Sequence, residues 1–294
     1  MYEESCDYVG GLGMKKRKEF VRGKFYPKEK EQLIDLIEKL ISLESPKENK
    51  NKIIGGIVPH AGYEFSGPHA IHFFNTLKDQ KIDTVIIINP SHTGYGAPIS
   101  LDSNEIWDSP LGEVKLDLEF QEELGLDYSE DAHKYEHSGE VMIPFLKYFL
   151  KNDFKIVPIT MRAHNYRNAR DLAKIIYESS EKLNKKIVVI ASSDFSHYVK
   201  KDLGLQLDQL AVDKILNFDS LGVDEVVAKY NLSICGYGPI MTLLEYSKLV
   251  DKNSKIEILR RGDSSERYPM EEVVDYITFI VYQQNNQQNP SFMV

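Results

Sequence analysis

Cysteine is scarce in this sequence, which has only Cys6 and Cys235 and no C-x-x-C pair. Two cysteines so far apart do not suggest a disulfide framework, and this favours a reducing, cytoplasmic location. Long apolar runs are also missing, since none approaches the roughly 20 residues of a transmembrane helix. Residues 1–13 are acidic and lack the apolar core of a signal peptide. We therefore expect no membrane association.

Positive charge is in short supply as well. Lysine and arginine together number 36 against 45 aspartates and glutamates, which gives a formal net charge of -9. Nucleic acids and anionic membranes are bound through clustered basic side chains. The one basic cluster, residues 15–18, is short and is predicted to be a solvated segment. We therefore expect no nucleic-acid partner.

Several catalytic signatures do not occur in the sequence. It has no G-x-x-x-x-G-K-[ST], no H-E-x-x-H and no G-x-S-x-G segment. The absence of these signatures argues against a P-loop NTPase, a zincin metalloprotease and an α/β-hydrolase with a nucleophile elbow. What remains is an ordinary globular composition, with 42% hydrophobic and 28% charged residues.

Short apolar runs alternate with amphipathic segments along the chain. Strands are predicted at residues 53–58, 84–89, 155–160 and 186–193, with two more near the end of the chain. Pro158 lies inside the third of these, which predicts an edge strand or an early end. Helices are predicted at residues 28–43, 67–77, 140–150, 165–183, 202–217, 220–229 and 239–249. Alternation of this kind predicts a single three-layer α/β/α domain with a mostly parallel or mixed central sheet.

The domain is predicted to cover residues 23–284. An N-terminal extension, residues 1–22, precedes it and is expected to be disordered at its start. A polar, Gln/Asn-rich tail, residues 285–294, follows it.

Three of the predicted strands end at ligand-type residues. His60 follows the strand at residues 53–58, His92 the strand at 84–89, and Asp194 and His197 the strand at 186–193. In open α/β sheets the functional site lies outside the carboxyl ends of the strands. One such histidine is more often an ordinary loop residue, but the coincidence of position predicts a shared metal or polar site.

Cys235 is a further candidate, because it lies in a glycine-rich loop just before a predicted helix. A helix N-terminus or a metal would lower the pKa of its thiol. Imidazoles and a thiolate are suitable ligands for Zn, Fe or Cu, although a lone cysteine is often a small core residue. Glu136 and His137 are candidate partners of the ligands or substrate contacts, as are Tyr63 and Tyr95 beside the strand-end histidines.

These segments also carry a family resemblance. The chain resembles the MEMO family, also named AmmeMemoRadiSam system protein B, from about residue 23 to the last strand. Seven segments in order carry the likeness: VPHAGYEFSG, NPSHTGYG, SPLGEVKLD, EHSGEVMIPFL, VPITM, SSDFSHY and CGYGPI.

The resemblance implies a LigB-like fold similar to class III extradiol dioxygenases, which bind non-haem Fe(II) through two histidines and a glutamate. The matching positions here are His60, His92 and Cys235. Asp194 and His197 fall where the family has its pocket Asp and His, and His197 resembles the dioxygenase acid/base. The family name also implies AMMECR1-like and radical SAM partner proteins.

Three functions are consistent with these observations. The first is a metal-binding protein that acts as a metal-dependent oxidoreductase, with Fe(II) favoured and Zn or Cu as alternatives. The second is a non-catalytic module that binds a peptide or protein in the same cleft. The third is a metal-assisted hydrolase. In each case the ligand is an unidentified small molecule or peptide.

Overall fold

The computed structural model describes residues 14–284 of the chain. The predicted polar tail and residues 1–13, expected to be disordered, lie outside this range. The strands are β1 Lys16–Arg17, β2 Lys52–Val58, β3 Thr84–Pro90, β4 Ile99–Leu101, β5 Ile106–Trp107, β6 Val114–Lys115, β7 Asp127–Tyr128, β8 Lys155–Met161, β9 Ile187–Ser192, β10 His197–Lys200, β11 Lys255–Asp263 and β12 Glu272–Gln283. The helices are α1 Lys30–Glu44, α2 Gly67–Asn75, α3 Leu118–Leu124, α4 Glu130–Lys134, α5 Met142–Phe149, α6 Tyr166–Leu183, α7 Lys201–Leu216, α8 Ser220–Tyr230 and α9 Tyr237–Val250.

The main sheet is mixed, as the sequence predicts. Its strand order is β10-β12-β2-β9-β3-β8-β4-β7, and β11 pairs with β12. The central strands β2, β9, β3 and β8 run parallel to one another. Strand β12 runs antiparallel to β2 on one side of them, and β4 runs antiparallel to β8 on the other.

The central strands are mostly apolar, as expected for strands that are covered on both faces of the sheet. In β3, Val85 and Ile87 contribute to one core, whereas Ile86 and Ile88 contribute to the other. Helices α1, α2 and α5 pack on the first core, and α3, α6, α7, α8 and α9 pack on the second. The predicted three-layer α/β/α class is therefore confirmed.

The prediction that Pro158 marks an edge strand or an early end is wrong. Strand β8 lies between β3 and β4 and continues to Met161. Pro158 pairs with Ile87 of β3, but the short β4 pairs only with residues Ile159 to Met161. Since the β4 ladder has ended before it reaches the proline, the missing N–H of Pro158 costs no hydrogen bond on that side.

The basic segment at residues 15–18 is not solvated throughout, because Arg17 is only 3% exposed. Its guanidinium pairs with Glu140 at 2.8 Å, and it donates to the carbonyl oxygens of His133 and Glu136 at 2.9 and 2.8 Å. It also lies 4.4 Å above the ring of Trp107. Part of the predicted N-terminal extension thus packs on the domain and anchors the loop that carries Glu136.

None of the helices within residues 14–284 is long and apolar enough to cross a membrane.

Candidate metal centre

Parallel strands bring the candidate ligands to one edge of the sheet. Strands β2, β3 and β9 run in the same direction, and His60, His92 and Asp194 follow their carboxyl ends. Cys235 lies two residues before α9. One ligand atom from each of His60, His92 and Cys235 lies within 4.8 Å of the other two.

Gly236 allows the cysteine loop to lie directly on the end of β9. A side chain at this position would collide with the carbonyl oxygen of Ser192 and lie 2.5 Å from Ser193 Cβ. The Gly236 N–H instead donates to Ser193 Oγ at 2.9 Å, and the Asp194 N–H donates to Cys235 Sγ at 3.3 Å. The glycine therefore fixes the thiol beside the strand-end residues.

A hydrogen-bond chain determines the tautomer of the buried His60. Its Nδ1 lies 2.7 Å from Ser192 Oγ, and the Ser192 hydroxyl donates its proton to the carbonyl oxygen of Ser138 at 2.8 Å. Ser192 must therefore accept a proton from Nδ1. The remaining nitrogen, Nε2, lies 3.3 Å from Cys235 Sγ. Burial, together with the neighbouring histidines, lowers the pKa of His60 well below its usual value, so the ring is neutral and Nε2 carries a lone pair.

His92 is oriented by Glu136. Its Nδ1 lies 2.9 Å from one Glu136 oxygen, and its backbone N–H donates to the other at 2.6 Å. Burial opposes charge on both groups, but their hydrogen bond and mutual attraction outweigh it, raising the pKa of His92 and lowering the pKa of Glu136 to about 2. A carboxylate on the far nitrogen is the usual arrangement for a histidine that ligates a metal.

Asp194 and His197 lie beside this cluster. The Asp194 carboxylate accepts the His60 backbone N–H at 2.8 Å and lies 3.9 Å from His60 Nε2. Burial raises the pKa of Asp194 to about 6, although the hydrogen bond from the His60 N–H and the nearby His197 act to lower it. His197 is half-buried, and its Nδ1 lies 2.8 Å from the Ser233 carbonyl oxygen. Within residues 14–284, neither Asp194 nor His197 belongs to a group of three converging ligands.

His137 lies at the same site. Its ring centroid is 4.6 Å from that of His92 and 5.4 Å from that of His60. With His92 and Glu136 it forms a second group of three ligand-type residues. Burial lowers the pKa of His137 to about 4, so the ring is neutral near pH 7.

The two tyrosines have different positions. Tyr63 is buried, its hydroxyl donates to the Val141 carbonyl oxygen at 2.6 Å, and its ring stacks on Phe145 at 4.2 Å. These contacts make it a core residue. Tyr95 is 56% exposed, in the loop that carries His92, so it is available for a substrate contact.

The expectation that the pKa of the Cys235 thiol is lowered is wrong. Burial and the negative charge of Asp194 raise its pKa above the ordinary value. The helix α9 begins only at Tyr237, and the thiol accepts the Asp194 N–H rather than lying at a free helix end. At neutral pH the free side chain is therefore a thiol.

The roles of several residues were not apparent from the sequence. Ser192 and Ser138 fix the His60 tautomer, and Arg17 anchors the loop of Glu136, which the sequence did predict as a partner of the ligands and which orients His92. The residue pair E-H in EHSGE was the only visible signal. Its pairing with a histidine 44 positions earlier has no local pattern.

The fold and the site together define a mixed-sheet α/β protein with two histidines and a cysteine clustered at the carboxyl edge of the sheet. The model of the family described as Memo-like protein matches residues 17–280. The chain therefore belongs to the Memo-like family.

Relatives of nearly full length support this assignment. A MEMO1 family protein of Desulfurococcus amylolyticus is 39% identical over 285 residues, covering 92% of this chain and 100% of the relative. Another from Methanosarcina mazei is 38% identical over 272 residues, covering 91% and 100%. A solved structure, an uncharacterized protein from Escherichia coli K12, covers 78% of this chain and 100% of that one. Its TM-score of 0.48 and 13% identity support no inference about function.

Proposed function

We propose that this protein binds a divalent metal through His60, His92 and Cys235. The observation that supports this most directly is the approach of the three ligand atoms to within 4.8 Å of one another. Both histidines engage Nδ1 in hydrogen bonds, to Ser192 and Glu136, which leaves Nε2 of each for a ligand role. Two imidazoles and a thiolate fit Zn, Cu or Fe, and the likeness to non-haem iron enzymes favours Fe(II).

We further propose that the site belongs to a metal-dependent oxidoreductase. The bound metal would supply Lewis-acid and redox chemistry. Asp194 would accept and release the proton, because its carboxylate lies beside the proposed ligands, 3.9 Å from His60 Nε2. His197, fixed through Nδ1 by the Ser233 carbonyl oxygen, would present Nε2 to substrate. Hydrolysis is the alternative if the metal is Zn, since Zn offers no redox step.

A binding module is the second candidate function. Tyr95 and Tyr198 are 56% and 74% exposed and follow the site histidines His92 and His197 in sequence. Exposed tyrosines are frequent in protein interfaces. A peptide or partner protein is the ligand that such a surface would take.

Elemental analysis separates the two candidates. The protein would be purified without added metal, and one half would be treated with a chelator. The metal proposal predicts a near-stoichiometric transition metal that the chelator removes. Protein that contains no metal and takes up none of Fe(II), Zn or Cu would favour the binding module.

Glu136→Gln is expected to weaken metal binding by about 10- to 100-fold. The amide keeps the shape of the side chain but removes the charge that makes His92 a stronger ligand. The measurement is a competition titration against a chromophoric chelator. Glu122→Gln, on the exposed face of α3, is the matched control and should bind as the wild type does. Equal affinity of Glu136→Gln and wild type would contradict a ligand role for His92.

Metal affinity is expected to rise with pH. The Cys235 pKa is raised, so at neutral pH binding must displace the thiol proton, and the association constant should increase about tenfold per pH unit. Below the raised pKa of His92 a second proton must leave, and the slope should steepen. His60 adds nothing to the slope, because its lowered pKa keeps it neutral. Metal titrations at a series of pH values on both sides of neutrality check the prediction. A metal affinity that does not change with pH would contradict ligation by the thiolate.

A further inference from the structure

Two buried carboxyl groups lie behind the loop that carries Asp194 and His197. Asp208 of α7 and Asp275 of β12 are 0% and 3% exposed. Asp208 Oδ1 accepts both the Ser196 N–H at 3.1 Å and the Ser196 hydroxyl at 2.7 Å. The backbone of Asp275 exchanges two hydrogen bonds with this loop, one from Phe195 N–H and one to the Ser196 carbonyl oxygen, each at 2.9 Å. The two aspartates therefore hold Ser196 from two elements.

The second carboxyl oxygen, Oδ2, of both Asp208 and Asp275 is buried without a hydrogen-bond donor among residues 14–284. A side chain at Gly204 would collide with Asp275 Oδ2, so the α7 backbone packs directly against the pair. Nor does a third ligand-type side chain from the described part of the chain complete a metal site there. The side chains of Asp208 and Asp275 lie within hydrogen-bond reach of each other. Two buried carboxylates so placed are strongly disfavoured from ionising together, and a shared proton satisfies both.

The surrounding groups indicate which residue carries the proton. Burial raises the pKa of Asp208, but hydrogen bonds from Asp275 and from the Ser196 hydroxyl and N–H oppose this and favour its ionised form. Burial, with the hydrogen bond and charge of Asp208, raises the pKa of Asp275 to about 8. From β11, Arg261 opposes this shift and Asp263 adds to it. Lys201 of α7, which also lies close enough to interact with Asp275, is paired with Asp263 at 2.9 Å.

We infer that Asp208 and Asp275 share one proton and act as positioning residues for the loop that carries Asp194 and His197. The positioning role rests on the proposed function, since it assigns the loop to the site. The shared proton itself does not depend on that assignment.

This arrangement makes stability depend on pH. The folded-state pKa of Asp275, about 8, is above the unfolded value of roughly 4. The folded state therefore binds the proton more tightly, and its contribution is full below the unfolded pKa and is lost as pH rises through about 8. Above that pH two carboxylates face each other and repel, which should release Ser196.

Asp275→Asn tests the inference, because an amide can donate to Asp208 at every pH. Urea unfolding of the wild type and the variant would be compared from about pH 5 to about pH 7. Relative to the variant, the unfolding constant of the wild type should rise about tenfold for each pH unit, because its unfolding releases one more proton. Asp213→Asn, on the exposed face of α7, is the matched control and should keep the wild-type slope. Asp208→Asn provides a second variant if Asp275→Asn does not fold.

Amide hydrogen exchange at Phe195 and Ser196 tests the positioning role. After correction for intrinsic exchange, the wild type should lose protection by tenfold or more above the Asp275 pKa, and Asp275→Asn should not. Both measurements use protein without added metal, so failure of the metal proposal would not affect them. If the unfolding constant of Asp275→Asn rose with pH as steeply as that of the wild type, the inference of a shared proton would be overturned. Unchanged protection in the wild type at high pH would overturn the positioning role.

Discussion

Cys235→Ser is expected to weaken metal binding by on the order of 100-fold and to leave the fold intact. Structural zinc sites with four ligands have binding free energies of roughly 10–16 kcal/mol, which corresponds to about 3 kcal/mol for each ligand. Since about 1.4 kcal/mol changes a dissociation constant tenfold, losing one ligand should weaken binding about 100-fold. A serine hydroxyl is a much poorer ligand than a thiolate. The side chain is partly buried in the site but belongs to neither hydrophobic core, so it contributes little to core packing.

The measurement is a metal competition titration together with urea unfolding of the metal-free protein. Ala228→Ser, on the exposed face of α8, is the control and should not change affinity. Cys235→Glu would create a two-histidine, one-carboxylate set and should shift preference towards Fe(II). If Cys235→Ser lowered stability and bound metal as the wild type does, the cysteine would be a packing residue only.

Arg17→Met is expected to destabilise the protein by about 3–5 kcal/mol, because it leaves the buried Glu140 without its countercharge. Both side chains of the pair are almost fully buried, at 2% and 1% exposure. Glu140 would keep the hydrogen bonds from the Phe20 and Val21 N–H groups and from the Tyr26 hydroxyl, which do not neutralise it.

Urea unfolding would measure the loss. Lys16→Met is the matched control one residue away, where an exposed ion pair with Glu113 should contribute little. Similar stabilities of the two variants would contradict the anchoring role of Arg17. A loss of metal affinity in Arg17→Met beyond its effect on folding would indicate that the anchor also positions the Glu136 loop.

The sequence was informative where local pattern and topology coincide. Residues 85–88 are apolar at every position, which indicates a strand covered on both faces, and that strand is β3. His60 and His92 follow parallel strands, so the general position of ligand-binding edges in α/β sheets predicted their proximity. Cys235 was already a candidate from its glycine-rich loop before a predicted helix, and the resemblance matched it to the third ligand position beside the two histidines.

Other features depend on contacts that no local pattern encodes. Arg17 pairs with Glu140 across 123 positions, and the sequence alone offers only a short basic run. The pKa of Cys235 was predicted with the wrong sign, because burial and the approach of Asp194 appear only in three dimensions. Asp208 and Asp275 look like ordinary helix and strand residues until the sheet brings them together.

X-ray absorption spectroscopy of the metal-loaded protein tests the central claim most directly. The wild type should show one sulfur near ~2.3 Å and nitrogens near ~2.0–2.1 Å from the metal if Zn is bound. Cys235→Ser, loaded at a higher metal concentration, should lose the sulfur shell and keep nitrogen ligands. A wild-type spectrum with only oxygen and nitrogen neighbours, unchanged in Cys235→Ser, would contradict metal binding by His60, His92 and Cys235.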